Sequence, residues 1–309
     1  MNITEIVRRS SLIMPVNQPR FVDKAYLRGA DAIVLDLEDS VPPAEKGRAR
    51  TVVKGAIPVA ARGGADVFVR INKPVEMTVE DLEAAIHPGL TGLALPKVES
   101  AAEIHMLDEL TTYWERRHRV PQGTVQFSVS VETARGVMRA EEIAAASPRI
   151  ASIGAGPEDL ALDLGIEATV EGTELLYIKL RMIVVANAAG VIPMGLMGTL
   201  ADYANLEELA RSAKEANRVG FRGAGLIHPL QVPICNEAYA PPPQQVQWSK
   251  RVIEAFEEGL ARGTASVALD GRMIDIPIVD KARRVLARAD AIAAKEARKA
   301  EALRLAGVA

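Results

Sequence analysis

The sequence predicts an α/β protein: a (β/α)₈ barrel of the TIM type with a C-terminal extension of helix and hairpin. Apolar runs of strand length alternate with segments of helical period. This strand-then-helix unit occurs eight times over roughly 230 residues, the number and size expected for such a barrel. No Gly-x-Gly-x-x-Gly motif follows the first apolar run. That disfavours the other α/β arrangement, an open doubly wound sheet.

The expected strands are nearly continuous apolar runs, which is typical of parallel strands covered on both faces. They lie near 11–15, 32–37, 66–71, 91–96, 125–131, 150–154, 190–194 and 223–227. The expected helices lie near 19–29, 44–60, 78–86, 100–118, 135–146, 158–164, 172–189 and 205–219. Parallel strands all end at one rim of a barrel, so the residues that follow them are expected to meet there.

The pattern changes after His228-Pro229, where Ala240–Pro243 forms a stiff segment that cannot continue a helix. The expected elements beyond it are a helix near 244–262, strand-like segments at Ala265–Leu269 and Met273–Ile276, and a helix at about 278–306. Asp270-Gly271 between the two segments is a hairpin signal. We therefore expect a barrel over 1–235 and an extension over 236–309 that packs over the barrel mouth or onto a neighbouring subunit.

Composition excludes several classes of partner. The net charge is −3, from 37 basic and 40 acidic residues, and there is no basic stripe, so nucleic acid is not expected. No apolar stretch is long enough to span a membrane and no signal-peptide core is visible, so a cytoplasmic location is expected. Cys235 is the single cysteine. It cannot form an internal disulfide or a cysteine-based zinc site, and we interpret it as a passive thiol.

Ionisable residues follow five of the apolar runs. These runs are 32–39, 67–70, 93–97, 127–132 and 153–159. A charge at the end of an apolar strand is costly unless it is paired, bound to a metal or placed at a wet rim. One such residue is ordinary, but five in series predict an active site at the carboxyl ends of the strands.

Glu132 and Asp159 end consecutive strands and form the sharpest pair of candidates. Two carboxylates without a nearby histidine or cysteine suit a hard cation that prefers oxygen ligands. Mg²⁺ fits best, with Mn²⁺ as a substitute and with water or substrate oxygens completing six ligands. The alternative is that each carboxylate only stabilises the N-terminus of the following helix.

Three further groups are candidates for binding substrate. Arg70 can hold a carboxylate through two hydrogen bonds, although an ion pair with Glu38 or Asp39 is compatible with the same position. Asp36, Glu38 and Asp39 are expected to orient Arg70 or the waters of a metal ion. Lys97 is either a phosphate or carboxylate ligand or an ordinary loop lysine. His228 is interpreted as a structural residue.

Together these residues resemble the citrate lyase β-subunit-like branch of the HpcH/HpaI aldolase/citrate lyase superfamily, from about Arg9 to Asp280. The order and spacing of nine short motifs carry the resemblance. They are Arg9-Ser10-x-Leu12-x-x-Pro15, Gly29-Ala30-Asp31-Ala32, Leu35-Asp36-Leu37-Glu38-Asp39, Val69-Arg70-Ile71-Asn72, Leu95-Pro96-Lys97-x-Glu99-Ser100, Glu132-Thr133-Ala134-x-Gly136, Gly156-Pro157-Glu158-Asp159-Leu160, Ile227-His228-Pro229-x-Gln231 and Gly271-x-Met273-x-Asp275-x-Pro277.

The resemblance implies an Mg²⁺-dependent lyase, usually a trimer or hexamer, that acts on a β-hydroxyacyl thioester such as malyl-, citramalyl- or citryl-CoA. It implies that Glu132 and Asp159 ligate Mg²⁺ and that Arg70 binds the α-keto acid. Asp275, locally a turn residue, is implied to enter a neighbouring subunit's site as the acid/base. The implied reaction is a retro-Claisen cleavage to an α-keto acid and an acyl-CoA.

The chain departs from the family pattern at three places that flank the expected mouth. Val16-Asn17-Gln18 stands where the family commonly has Gly-Asn-Arg, Ala155 replaces an aromatic residue, and Met194-Gly195-Leu196 stands where Asp-Gly-Val is common. Asp39 occupies the position of the catalytic histidine of pyruvate-type aldolases, which argues against aldolase chemistry. The departures leave the metal–arginine residues in place but leave open both the acyl group and CoA itself.

Two other functions remain compatible with the sequence. One is a metal-dependent malyl- or citramalyl-CoA thioesterase. The other is a citrate lyase-type subunit that needs an acyl-carrier partner, which the sequence does not favour. Arg20 and Lys24 are candidate contacts for the CoA phosphates.

Overall fold

The computed structural model of the protein describes residues 5–169, 171–198 and 204–308. The chain divides into two compact units. The larger comprises Arg8–Tyr239 and Lys299–Ala309, and the smaller comprises Met1–Val7 and Ala240–Arg298. Within the described residues, no helix is both long enough and apolar enough to cross a bilayer. The cytoplasmic location stays a prediction.

The larger unit contains eight parallel strands. In chain order they are β1 Ser10–Pro15, β2 Ala32–Asp36, β3 Asp66–Arg70, β4 Gly92–Leu95, β5 Gln126–Val131, β6 Ile150–Ala155, β7 Ile192–Met194 and β8 Ala224–Leu226. From β1 to β7, each strand pairs with the next one in sequence, and β1 also pairs with β8. Backbone hydrogen bonds from Arg222 N to Pro193 O and from Gly195 N to Gly223 O link β7 to the segment that enters β8. The predicted barrel is confirmed.

Helices follow the strands around the outside of this sheet. They are α1 Pro19–Val22, α2 Lys46–Ala61, α3 Val75–Ala85, α4 Ala101–Arg117, α5 Ala134–Met138, α6 Ala140–Ala145, α7 Pro157–Leu164, α8 Leu176–Ala189, α9 Leu206–Val219 and α10 Gln231–Ala238. The helix expected near 135–146 is two helices, because Arg139 leaves helical geometry between them. Sequence reasoning missed α10. Its Pro233 lies in the first turn, where a missing N–H is tolerated.

The main apolar core lies between the sheet and these helices, not inside the barrel. In β1, Leu12 and Met14 are buried against the helices, whereas the alternating Ser11 and Ile13 are only half-buried. The same alternation holds in β5, where Phe127 and Val129 are buried. Period-two alternation thus separates an outward apolar face from an inward face that stays accessible.

The smaller unit is built from a helix, a hairpin and most of the last helix. These are α11 Pro243–Ala261, β9 Val267–Leu269, β10 Arg272–Ile274 and α12 Ile276–Leu305. The strands pair antiparallel through Asp270 and Gly271, which both have positive φ, as a two-residue hairpin turn requires. Val252, Phe256 and Ile274 form the centre of its apolar cluster.

A buried ion-pair network lies below β1 and β2 in the larger unit. Asp31 accepts hydrogen bonds from Arg9 Nε at 2.7 Å and Arg9 Nη2 at 2.9 Å. Lys299 Nζ, near the end of α12, lies 3.0 Å from Asp31 Oδ1. Burial alone would raise the pKa of Asp31, but the hydrogen bonds and charges of Arg9 and Lys299 outweigh it and lower the pKa. The network fixes the last turns of α12 to the start of β2.

Replacing Asp31 by Asn is expected to lower the free energy of unfolding by about 3–5 kcal/mol, because it removes the carboxylate that two buried cations share. Equilibrium unfolding in urea, followed by circular dichroism, measures the change. Glu301→Gln is the matched control, because Glu301 pairs with Arg304 at an exposed position, where ion pairs contribute little. A loss no larger than that of the control would contradict the role assigned to Asp31.

Candidate active site

A cavity of about 280 Å³ lies within the barrel of the larger unit and reaches the carboxyl ends of its strands. Arg70, Glu132 and Asp159, three of the residues selected from the sequence, line it together. Each follows or ends a different strand. The strand-end location expected from the sequence therefore gathers these side chains into one cavity.

Arg70 and Asp36 form a bidentate ion pair at the ends of two neighbouring strands. The parallel register of β2 and β3 places the two residues side by side. Arg70 Nε lies 2.7 Å from Asp36 Oδ1, and Arg70 Nη2 lies 2.7 Å from Asp36 Oδ2. Asp36 is fully buried. Burial alone would raise its pKa, but the Arg70 contacts and the Ser40 hydroxyl outweigh that effect and lower it. The pair fixes the plane of the Arg70 guanidinium.

Glu38 gives Arg70 a second acidic neighbour. Arg70 Nη1 lies 3.0 Å from Glu38 Oε2, although that oxygen accepts no hydrogen bond, and Arg70 Nη1 lies 4.0 Å from Asp39. The ion pair anticipated for Arg70 is therefore present, with Asp36 as its stronger partner. Burial raises the pKa of Glu38, while the charges of Arg70 and Lys97 act in the opposite direction.

Lys97 places an ammonium group among three carboxylates. Its Nζ lies 2.8 Å from Glu38 Oε1, 3.1 Å from Asp39 Oδ2 and 3.4 Å from Asp159 Oδ1. Burial alone would lower the pKa of Lys97, but these carboxylates outweigh it and raise the pKa. The residue has φ of 52°, a left-handed conformation that costs a non-glycine residue about 1–2 kcal/mol. Such strain is typical of positions that the surrounding structure holds for a function.

Glu132 directly follows β5 and is buried, with 6% of its surface exposed. Burial raises the pKa of Glu132; the Ser130 hydroxyl counteracts this, and the nearby charge of Asp159 raises the pKa further. Asp159 lies in the first turn of α7 and is half-buried. Gly156, which precedes α7, makes room for Glu132: a Cβ there would lie 2.8 Å from Glu132 Oε1. The two carboxylates thus share one side of the cavity.

The residues present fit a magnesium ion. Among the seven side chains Asp36, Glu38, Asp39, Arg70, Lys97, Glu132 and Asp159, the carboxylates outnumber the cations by five to two. A divalent cation would offset that excess and favour the ionised form of Glu132. Across 5–169, 171–198 and 204–308, no group of three or more His, Cys, Asp or Glu side chains is arranged as a metal site. Mg²⁺ is commonly bound by one or two carboxylates, with water or substrate oxygens as the remaining ligands.

A second layer of side chains holds the backbone that carries Glu38. Lys46 Nζ donates to Leu37 O at 2.7 Å and to Glu38 O at 2.6 Å. Asn72 Nδ2 donates to Leu37 O at 2.9 Å, and Asp81 Oδ2 in turn accepts from Asn72 N at 2.7 Å. Sequence reasoning missed Lys46 and Asp81, because both lie on helices and support the site through hydrogen bonds to residues of other elements. The sequence indicated Asn72 only as part of the motif Val69-Arg70-Ile71-Asn72.

Other predicted residues lie outside this cluster. Arg20 and Lys24 are exposed, and the Arg20 guanidinium lies 4.6 Å from the centre of the Phe21 ring. Asp275 belongs to the smaller unit, where its Oδ1 accepts from Ile278 N at 3.4 Å. The roles of these three residues stay predictions. His228 Nδ1 accepts from Leu230 N at 3.2 Å, a contact typical of a structural histidine.

Two of the three departures from the family pattern line the cavity. Ala155 and Met194–Leu196 are among its lining residues. Val16 is buried, and its neighbour Asn17 has a buried Oδ1 that accepts no hydrogen bond. Cys235 is buried, and burial raises the pKa of its thiol to about 12, which suits a passive role.

This geometry defines a class of protein: an α/β barrel that carries, at the ends of its strands, an acidic site able to hold a cation. A family model described as HpcH/HpaI aldolase/citrate lyase matches residues 9–229. The chain belongs to the HpcH/HpaI aldolase/citrate lyase family, as the sequence motifs predicted.

Curated relatives and solved structures agree with this assignment. The chain is 35% identical over 288 residues to citrate lyase subunit beta of Leuconostoc mesenteroides subsp. cremoris, covering 93% of this chain and 95% of the relative. It is 31% identical over 307 residues to an L-malyl-CoA/beta-methylmalyl-CoA lyase of Cereibacter sphaeroides, with 93% and 96% covered. The crystal structure of CitE from Mycobacterium tuberculosis in complex with magnesium, acetoacetate and coenzyme A superposes with a TM-score of 0.72 at 29% identity, covering 93% of this chain and 99% of that chain.

Replacing Gly156 by Ala is expected to weaken Mg²⁺ binding by about tenfold or more, because the new Cβ displaces the Glu132 carboxylate without removing a ligand. Isothermal titration calorimetry with MgCl₂ measures the dissociation constant. Gly55→Ala in α2 is the matched control, because an added Cβ there meets no atom within 4 Å. If a folded Gly156→Ala variant binds Mg²⁺ with unchanged affinity, Glu132 is not a ligand of the metal ion.

Proposed function

We propose that this chain is an Mg²⁺-dependent carbon–carbon lyase. It cleaves a β-hydroxyacyl-CoA thioester to an α-keto acid and an acyl-CoA, or condenses the two in the reverse direction. The observation that carries the proposal is the arrangement of one cavity: a fixed arginine for a carboxylate lies beside the carboxylate pair of Glu132 and Asp159. Family membership, with citrate lyase and malyl-CoA lyase relatives, supports the same chemistry.

Glu132 and Asp159 would hold the magnesium ion. When bound, Mg²⁺ supplies Lewis-acid polarisation of the substrate oxygen and offsets negative charge that develops during cleavage. Because Glu132 is buried, its electrostatic interactions with a bound cation would be stronger than at an exposed rim.

Arg70 would bind the carboxylate of the α-keto acid. Its Nε and Nη2 are already directed at Asp36, whereas Nη1 faces Glu38 without donating a hydrogen bond to it. A guanidinium has five N–H groups, so donors remain for a substrate carboxylate. Burial alone would lower the pKa of Arg70, but its acidic partners outweigh this and raise it, so the residue stays cationic. Lys97, Glu38 and Asp39 orient one another around that carboxylate.

Asp275 is proposed as the acid/base, contributed by a neighbouring copy in a homo-oligomer. In cleavage, the hydroxyl proton passes to water, the bond between the carbinol carbon and the thioester α-carbon breaks, and its electron pair forms the thioester enolate. Asp275, in its protonated form, then donates its proton to the α-carbon and regains one from water. In condensation the same carboxylate removes the proton. Exposed Arg20 and Lys24 remain the proposed contacts for the CoA phosphates.

A carrier-dependent subunit is the second candidate. It is favoured by one observation: several relatives, including that of Escherichia coli strain K12 at 34% identity, are named as a subunit of citrate lyase. The malyl-CoA lyase relatives, which match over the same share of this chain, favour activity of the isolated chain on free CoA thioesters.

With malyl-, citramalyl- and citryl-CoA as substrates, we expect the isolated protein to release an α-keto acid and an acyl-CoA with Mg²⁺ and to lose this activity in EDTA. Mass spectrometry identifies the products. Release of the free hydroxy acid and CoA would instead identify a thioesterase. Turnover that appears only after an acyl-carrier protein is added would favour the subunit.

Asp275→Asn is expected to abolish turnover while leaving Mg²⁺ affinity unchanged. Mixing it with Glu132→Gln, which lacks a metal ligand but retains Asp275, is expected to restore activity. With random exchange of subunits in a closed ring, about a quarter of the sites combine an intact Glu132 with a neighbour's Asp275. Calorimetry and the turnover assay measure the two properties. A full-rate Asp275→Asn variant would rule out the role, and absence of any restoration would place Asp275 in its own subunit's site.

A further inference from the structure

The interior of this barrel is hollow beneath the candidate active site. Barrels of this type are usually filled by layers of large, branched side chains. Here small residues occupy inward positions on five strands: Ser11, Ala94, Ser128, Ser152 and Gly225. All but Ser152 are only half-buried although they lie within strands. The cavity that contains Arg70 and Glu132 therefore continues downward between the strands.

The hollow has two chemically different walls. One wall is apolar and consists of Ile13, Val34, Phe68 and Ala94, which pack together as a separate cluster. The opposite wall carries hydroxyl groups: Ser152 Oγ donates to Ser128 Oγ at 2.9 Å, and Ser130 lies one inward position above Ser128. An occupant can bury aliphatic surface on one side and still meet hydroxyl groups on the other.

Charge restricts the occupant further. Among the described residues that line the cavity, Arg70 is the one cationic side chain, and it lies at the strand ends, where it already faces Asp36 and Glu38. A carboxylate in the hollow would lose its water and gain only the serine hydroxyls of one wall, without a cation to offset its charge, which is costly. A substituent as small as hydrogen would leave the apolar wall without contacts.

We infer that the hollow is the binding subsite for the substituent on the keto carbon of the α-keto acid, and that it selects an uncharged aliphatic substituent longer than methyl. The α-keto acid is taken from the proposed function. Its carboxylate lies at Arg70, so the substituent on the adjacent carbon is within reach of the hollow, while the acyl-CoA enters from the rim. The corresponding thioester bears the same aliphatic group on its carbinol carbon. Malyl-, citramalyl- and citryl-CoA, which carry hydrogen, methyl and carboxymethyl groups there, would therefore be cleaved more slowly than that thioester.

The test is a series of α-keto acids: glyoxylate, pyruvate, 2-oxobutyrate, 2-oxovalerate and oxaloacetate. Their binding is measured by calorimetry with Mg²⁺ and without CoA, and their condensation with acetyl-CoA is measured as kcat/KM. We expect affinity to rise by about fourfold with each added methylene from pyruvate to 2-oxovalerate. We expect oxaloacetate to bind more weakly than 2-oxobutyrate.

Ala94→Leu fills the hollow. It is expected to reduce the preference for 2-oxovalerate over pyruvate, measured as the ratio of their affinities, by at least tenfold. Ala94→Val is the smaller change should the leucine variant fail to fold, and Ala145→Leu on the exposed face of α6 is the matched control. Tightest binding of glyoxylate, pyruvate or oxaloacetate, or an unchanged series in a folded Ala94 variant, would overturn the inference. A rising binding series without turnover of any thioester would retain the subsite and reject the lyase.

Discussion

The buried ion pair between Asp36 and Arg70 is the interaction on which the candidate site depends. It joins the last residues of two neighbouring strands, so the parallel register of the sheet, and not a flexible loop, sets its geometry. Two buried charges are tolerated only when each is matched by the other and by further hydrogen bonds. Asp36 meets this condition through Ser40 and the Glu38 backbone N–H in addition to Arg70. The turn after β2 is thereby built around the guanidinium.

This arrangement shows how several carboxylates can be gathered at one place in the fold. Lys97 offsets part of the charge of Glu38, Asp39 and Asp159, and its strained backbone conformation brings the ammonium to their common centre. Glu132 is as deeply buried as Glu38 but has no such cation in hydrogen-bond contact, and burial raises its pKa. The surplus is therefore largest where a divalent ion would bind. Electrostatic preorganisation of this kind places the cost of gathering charge on folding, so that it does not fall on the reaction.

The separation between core and interior explains how the barrel can be both stable and hollow. Its large side chains, such as Leu12, Phe127 and Ile153, face the helices, and the apolar contact that stabilises the fold lies there. The interior is then free to carry serine, alanine and glycine, which gives the cavity its depth. The small inward residues can then select the substrate by size, while Arg70 selects it by charge at the strand ends of the same barrel.

The sequence by itself determined the eight strands, the hairpin at Asp270-Gly271 and the position of Arg70, Lys97, Glu132 and Asp159 at or shortly after the ends of strands. These depend on local apolar runs and turn residues, so one stretch of chain is enough to reveal them. Tertiary structure alone decided that Asp36 is the main partner of Arg70, that Lys46 and Asp81 hold the turn, and that Gly156 makes room for Glu132. Each of these is a contact between elements whose distance depends on register and packing, which no local pattern records. The hollow also depends on tertiary structure. A serine or alanine on one strand forms part of a cavity only when the inward faces of all eight strands are brought together.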